Sequence, residues 1–386
     1  MSLSTIKFYL KLVKAAGWAM TYPNRSLAEK IHIYKDFVGL RMAKGISTDE
    51  YQNFEFDRQP KQFREQFLGL NEQRYYLDLL NPKKYYVLPR NKYLTHKMLE
   101  GTGVRKATLF CYYQPEGHIG SDSHELASDL ANVLRILKEK DVKECIIKAA
   151  EATHGDLIWL AKDIAYADSD AELTLFDGKK ILLSAVLVKR QLVFESVVRQ
   201  TKQMDDFNSS SVNTVRFMTV LYPDGSARVI ATFLKLGRIG RCVDNAGSGG
   251  NVDGCIDVAT GELCHAVQYD GWESIKPIDR HPDSGVPING VRIENWEQIK
   301  AEVIKFQQAF PYCKAAGWDI ALTDEGPLAI EVNDFWDRIG QLFIHRGWRA
   351  EIRDCFLAWK AAGVKYDMER RDNELSEGML KRIARR

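Results

Sequence analysis

The run Gly317-Trp318-Asp319-Ile320-Ala321-Leu322-Thr323-Asp324-Glu325-Gly326-Pro327-Leu328-Ala329-Ile330-Glu331-Val332-Asn333 alternates on both sides of Asp324-Glu325-Gly326 and reads as a β-hairpin. Gly326 supplies the positive φ wanted by a hairpin loop of about three residues. Closing that loop on a Thr323–Pro327 pair sets Asp319 directly opposite Glu331 and puts Asn333 two positions further along the same face. That face otherwise carries Ala321, Ala329 and Thr323, which leave room for a ligand. Trp318, Ile320, Leu322, Leu328, Ile330 and Val332 form the other face, which the pattern assigns to the core. Opposed carboxylates repel unless a cation neutralises them, and an all-oxygen set of Asp, Glu and Asn suits a hard ion such as Mg²⁺ or Mn²⁺.

The remainder of the chain sets the frame. Its 386 residues, 45% hydrophobic, are enough for a substantial core and two or three lobes. A formal charge of +2 implies no polyanion, and no nucleic acid partner is expected. Seven cysteines, Cys111, Cys145, Cys242, Cys255, Cys264, Cys313 and Cys355, show neither a paired framework nor a metal spacing, which fits a reducing cytoplasm. Lys7, Lys11 and Lys14 interrupt an apolar N-terminus, against a signal peptide. Beside Phe8, Leu10, Leu12 and Val13 they permit a basic helix at a membrane surface, the inner face for a cytoplasmic protein; a helix packed on its domain is the other reading.

Residues 1–80 read as a helical region, with Ile31, Tyr34, Phe37, Val38 and Met42 at helical spacing and a capping box at Ser47-Thr48-Asp49-Glu50. After Asn81-Pro82 the pattern predicts a strand at Lys84–Leu88, a helix from Lys92 to Gly101, strands at Thr108–Tyr112 and Cys145–Ala149, and a helix through Leu126, Leu130, Val133, Leu134 and Leu137. Strands then dominate: Ile181–Val188, Leu192–Val198, Thr214–Tyr222, Ala227–Leu236 and Cys255–Val258, before a helix at about Trp296–Phe310. This mixture indicates an α+β protein. The expected organisation is a helical region 1–80, a two-lobed domain 81–345 divided near 195–200, and a helical tail 346–386.

The ending Gly-Trp-Asp-Ile-Ala-Leu-Thr…Ile-Glu-Val-Asn resembles the metal-binding hairpin of the ATP-grasp superfamily, and most of all its sugar-transfer-associated members. An ordinary surface hairpin with solvated charges is the alternative. The resemblance, which spans about Lys84 to Arg346, implies an ATP-grasp fold that binds nucleotide between two α+β lobes, with ATP and Mg²⁺ (or Mn²⁺) as cofactors and Asp319, Glu331 and Asn333 as metal ligands. It further implies that Lys92 and Lys148 are the two lysines on the ATP phosphates. Lys148 ends the strand Glu144-Cys145-Ile146-Ile147-Lys148, an unusual place for a charge unless it faces a pocket or an edge; a snorkelling surface lysine is the bland reading.

Leu192-Val193-Phe194-Glu195-Ser196-Val197-Val198 looks like the family's interlobe strand, where the backbone of Val197 and Val198 would pair with an adenine edge and Glu195 would mark the pocket. Glu195 as a plain salt-bridge partner is weighed equally. Arg216, Arg238 and Asn245 resemble the substrate-side catalytic residues, since guanidinium forks fit carboxylate and phosphoryl oxygens. One departure stands out: Ala149-Ala150-Glu151-Ala152-Thr153-His154-Gly155-Asp156 has a single glycine where the family has a glycine-rich phosphate loop. The resemblance implies an ATP-dependent carboxylate-amine ligase acting through an acyl phosphate on small-molecule, sugar-linked substrates of surface polysaccharide synthesis. A small-molecule kinase and a non-catalytic nucleotide-binding scaffold are the alternatives.

Overall fold

The computed structural model describes residues 3–22, 24–117, 123–151, 157–241, 250–269 and 275–365. The chain divides into two compact units, one formed by residues 1–83 with 337–386 and the other by 84–336.

The first unit is helical. Ser26 caps the helix Leu27–Lys44 and Ser47 caps Thr48–Asn53, each in a capping box closed by the glutamate three positions on, as read for Ser47 from the sequence. Aromatic rings fill its core: Trp18, Phe37, Tyr51, Phe54, Phe56 and Phe67 meet at centroid distances of 4.5–5.9 Å. Described residues from 337 onward pack within this unit. Arg338 Nε lies 2.6 Å from the buried Glu50, Arg349 Nε lies 2.8 Å from the buried Glu72, and the Gln341 amide bonds both backbone groups of Leu68. Among the described residues no helix is long and apolar enough to cross a membrane.

The second unit contains two seven-stranded sheets. The first consists of β1 (Leu109–Tyr113), β2 (Leu126–Ala127), β3 (Cys145–Ala149), β4 (Ile158–Tyr166), β5 (Ala171–Leu175), β6 (Lys180–Leu182) and β7 (Leu192–Glu195), ordered β2-β1-β7-β3-β4-β5-β6. The second consists of β8 (Thr214–Leu221), β9 (Ala227–Leu236), β10 (Asn251–Ile256), β11 (Leu263–Tyr269), β12 (Ile275–Pro277), β13 (Ala315–Thr323) and β14 (Gly326–Asn333), ordered β12-β11-β10-β9-β8-β13-β14. The amphipathic helix Leu130–Glu139 buries Val133, Leu134, Ile136 and Leu137 in the core of the first sheet. Helix Trp296–Ala309 buries Trp296, Ile299, Val303 and Phe306 in the core of the second, where the Phe217 ring stacks on Trp296.

One expected strand is absent and another is cut short. Lys84–Leu88 forms the end of a 3₁₀ turn and the start of the helix Val87–Arg90, where Pro89 sits in the first turn and its missing N–H costs nothing. Ile181–Val188 leaves the sheet after Leu182 and becomes the short helix Leu183–Val186. Asp170 accepts hydrogen bonds from the Ser184 amide and hydroxyl, and Leu183 and Val186 both turn into the core.

Candidate functional site

The decisive hairpin is β13–β14, and its register differs from the expected one near the tip. Thr323 pairs with Gly326, leaving Asp324 and Glu325 as a two-residue turn with Gly326 at φ 111°. A bulge between Asp319 and Ile320 then absorbs one extra residue on β14, so that Asp319 still faces Glu331 and Gly317 faces Asn333. The bulge moves Ala329 into the core with Ile320, Leu322 and Val332 and leaves Ile330 half-buried outside it. The expected face therefore holds from Asp319 downward and inverts on β14 toward the tip.

Asp319 is fully buried and neutralised from the neighbouring strands. Arg216 on β8 grips it with Nε–Oδ1 at 2.6 Å and Nη2–Oδ2 at 2.9 Å, and Lys235 Nζ on β9 lies 3.3 Å from Oδ1. Burial by itself pushes this carboxyl up; the charges of Arg216 and Lys235 and their hydrogen bonds outweigh that and hold it at about 2. Glu331 is half-buried and makes no ion pair or hydrogen bond with a described residue, while Asn333 donates from Nδ2 to the Gly317 carbonyl at 3.3 Å. Among the described residues no cluster of three or more His, Cys, Asp or Glu is placed to hold a metal.

A second buried cluster lies on the first sheet. Lys148 Nζ on β3 donates to Glu195 Oε2 on β7 at 2.7 Å, and His96 Nε2 lies 2.9 Å from Glu195 Oε1. Burial raises the Glu195 carboxyl, but the charge of Lys148 and the His96 hydrogen bond win and lower it to about 2. Of the two readings left open for Glu195, the ion-pair partner is what the side chain does here. Val197 and Val198 follow β7 in the half-buried link to the second sheet, and no described residue hydrogen-bonds to their main chain.

The segment Val87–Met98 joins the two clusters. Arg90 forks onto Asp334, the residue after Asn333, at 3.0 and 2.8 Å; the Lys92 amide donates to the Ala150 carbonyl at 2.9 Å; Tyr93 stacks on Tyr112 of β1; and His96 reaches Glu195. Lys92 itself is half-exposed, and its ammonium has no ion-pair partner among the described residues. Arg238 is placed elsewhere: its fork is spent on Asp283 at 2.7 Å twice, which holds that carboxyl at about 2, so it does not join Arg216. Asn245 and residues 152–156 of the single-glycine loop lie outside the described residues.

Three contributors escaped the sequence reading. Lys235 is a lone charge in the apolar run Phe233-Leu234-Lys235-Leu236, the same signal that singled out Lys148. His96 and the Arg90–Asp334 fork had no such signal, because their burial comes from contacts distant in sequence.

The pattern of the family described as sugar-transfer associated ATP-grasp matches residues 71–354. The chain belongs to the sugar-transfer-associated ATP-grasp family. Its fold is the mixed α+β architecture of ATP-grasp proteins, with an added helical region at the N-terminus. Solved structures similar to this ATP-grasp chain include the biotin carboxylase domain of 2-oxoglutarate carboxylase from Hydrogenobacter thermophilus (12% identity, 75% of this chain and 51% of that one, TM-score 0.41). Biotin carboxylase from Campylobacter jejuni is similar at 9% identity over 81% of this chain and 59% of that one, with TM-score 0.42. D-alanine–D-alanine ligase from Bacillus anthracis is similar at 12% identity over 77% and 66%, with TM-score 0.34. The chain spans between 51% and 66% of the length of these three structures. No curated protein sequence matches it.

Proposed function

We propose that this ATP-grasp protein is an ATP-dependent carboxylate-amine ligase. The observation that carries the reading is the row across β14, β13, β8 and β9, in which Glu331 and Asp319 stand opposed and Arg216 and Lys235 lie against Asp319. Glu331 and Asn333 have uncommitted oxygens for a divalent ion and Asp319 would supply the third, a hard-donor set that fits Mg²⁺. Such an ion, when bound, neutralises the phosphate oxygens of ATP.

The chain's own residues do the positioning. Lys92, whose ammonium has no ion-pair partner among the described residues, and Lys148, oriented by Glu195, would hold phosphate oxygens, while the main chain of Val197 and Val198 offers donors and acceptors to an adenine edge. A substrate carboxylate oxygen would attack the γ-phosphorus with ADP leaving. An amine nitrogen would then attack the acyl carbon, expelling inorganic phosphate and losing its proton to solvent. Arg216 and Lys235 place two positive charges beside the carboxylate row as negative charge develops. The family's description supports a sugar-linked acid or amine as substrate; surface polysaccharide synthesis at the cytoplasmic side of the membrane is the setting proposed for it.

A coupled assay of ADP release against panels of sugar acids, amino acids and amines tests this. The expected result is ADP formation that requires both acid and amine and yields an amide; ADP with acid alone and no amide identifies a kinase instead. The scaffold reading has one observation in its favour, that both Asp319 oxygens are already engaged by Arg216 and Lys235. It predicts nucleotide binding indifferent to Mg²⁺ and no turnover with any pair.

A further inference from the structure

We infer that the first two helices form a docking surface for an anionic membrane, a property separate from the ligase chemistry. Helix Leu3–Met20 buries Ala15 and Ala19 on one side, and Tyr22 just after it is buried too. Leu10, Val13 and Met20, at helical spacing on the opposite side, are exposed, Val13 by 68%. The next helix, Leu27–Lys44, begins with Leu27 and Ile31 exposed on one face, Leu27 by 66%. Lys30 Nζ donates to the Met20 carbonyl at 2.7 Å and so fastens the start of the second helix to the end of the first, next to Met20. Five of the twelve exposed large hydrophobic residues among those described therefore fall within residues 10–31. Concentration on that scale marks a surface that associates with something.

Charge identifies the occupant. Lys14, next to Val13, is exposed. In sequence, residues 1–31 hold five basic residues, Lys7, Lys11, Lys14, Arg25 and Lys30, against the single acid Glu29, and Arg25 alone of the described ones is spent on an ion pair, with Asp57. Beyond Ile31 the same helix adds exposed His32 and Lys35. An exposed apolar stripe in a stretch with a net basic sequence, with Lys14 exposed beside it, matches the boundary between acyl chains and anionic headgroups, where apolar side chains enter and ammonium groups stay with phosphate. A second copy of this chain would bring the same basic stretch up to itself and be opposed by repulsion.

Sedimentation of the full chain with vesicles tests the surface. Vesicles of phosphatidylcholine with about one-quarter phosphatidylglycerol should pellet the protein at about 0.1 M salt, and pure phosphatidylcholine should not. Raising salt to about 1 M, which shortens the Debye length from roughly 10 to 3 Å, should weaken binding at least about tenfold. Val13→Glu should weaken it by a similar factor and Lys14→Glu by about fivefold or more, with circular dichroism and thermal midpoint unchanged. Should Val13→Glu unfold, Lys14→Glu alone carries the test. No pelleting at low salt, equal binding to both vesicles, variants that bind like wild type, or a dimer by light scattering that Lys14→Glu dissociates would each overturn the assignment.

Discussion

Replacing Glu195 by glutamine isolates what the buried cluster on the first sheet contributes. The carboxyl sits at about 2 against an ordinary 4.5. At about 1.4 kcal/mol per pH unit, that gap corresponds to about 3 kcal/mol favouring the charged carboxylate in the folded state. Breaking a buried ion pair from one side gives a similar figure, about 3–5 kcal/mol, because Lys148 keeps its charge with little solvent around it. The amide oxygen of glutamine still accepts one hydrogen bond, so the lower end, about 3 kcal/mol at pH 7, is the expected loss. Urea unfolding with an unchanged slope measures it. Adding Lys148→Met should recover at least about half of the loss, since the orphaned charge is then gone. A cost below about 1 kcal/mol, or a double variant whose cost is the sum of the singles, refutes the claim that Glu195 and Lys148 hold each other.

Acid should expose both carboxylate clusters: the folded-state values of Glu195 and Asp319 lie below their unfolded ones, so their contribution is complete above about pH 4.5 and is lost as pH falls toward about 2, and Glu195→Gln should show a shallower acid decline in thermal midpoint. Glu331→Gln should abolish Mg²⁺-dependent ADP release while moving the unfolding midpoint by less than about 0.5 kcal/mol, because the side chain is half-exposed and holds nothing else; unchanged turnover would remove it from the metal set. Gly347→Ala places a Cβ inside the Gln66 backbone and should cost more than about 3 kcal/mol, whereas Gly17→Ala meets nothing and should stabilise its helix by up to about 1 kcal/mol, both read by denaturant titration.

Much of this arrangement was written locally. Alternation across Gly317–Asn333 is enough to read the hairpin, but the Asp319–Glu331 pair is kept only because a bulge offsets a turn one residue shorter than the pattern predicts. Capping boxes and the stripe on Leu130–Glu139 are likewise short-range signals, and they survive in the structure. What could not be read was tertiary: the Asp170 contact that curls Leu183–Val186 into a helix, the bulge that trades Ile330 for Ala329, and the partner that each buried charge chooses. Arg216 and Arg238 look alike in sequence, yet one reaches across a sheet to Asp319 and the other settles on Asp283. Composition cannot separate them.

The helical unit draws its core from both ends of the chain, and this orders events during synthesis. Glu50 and Glu72 are almost wholly buried, and their partners Arg338 and Arg349 leave the ribosome more than 270 residues later. Until then the leading helices hold two carboxylates with no counter-ion and must stay loosely packed, while the strands between them emerge and pair. The helices around Glu50 and Glu72 are thus made before the strands of the second unit yet reach their native packing only after Arg338 and Arg349 arrive.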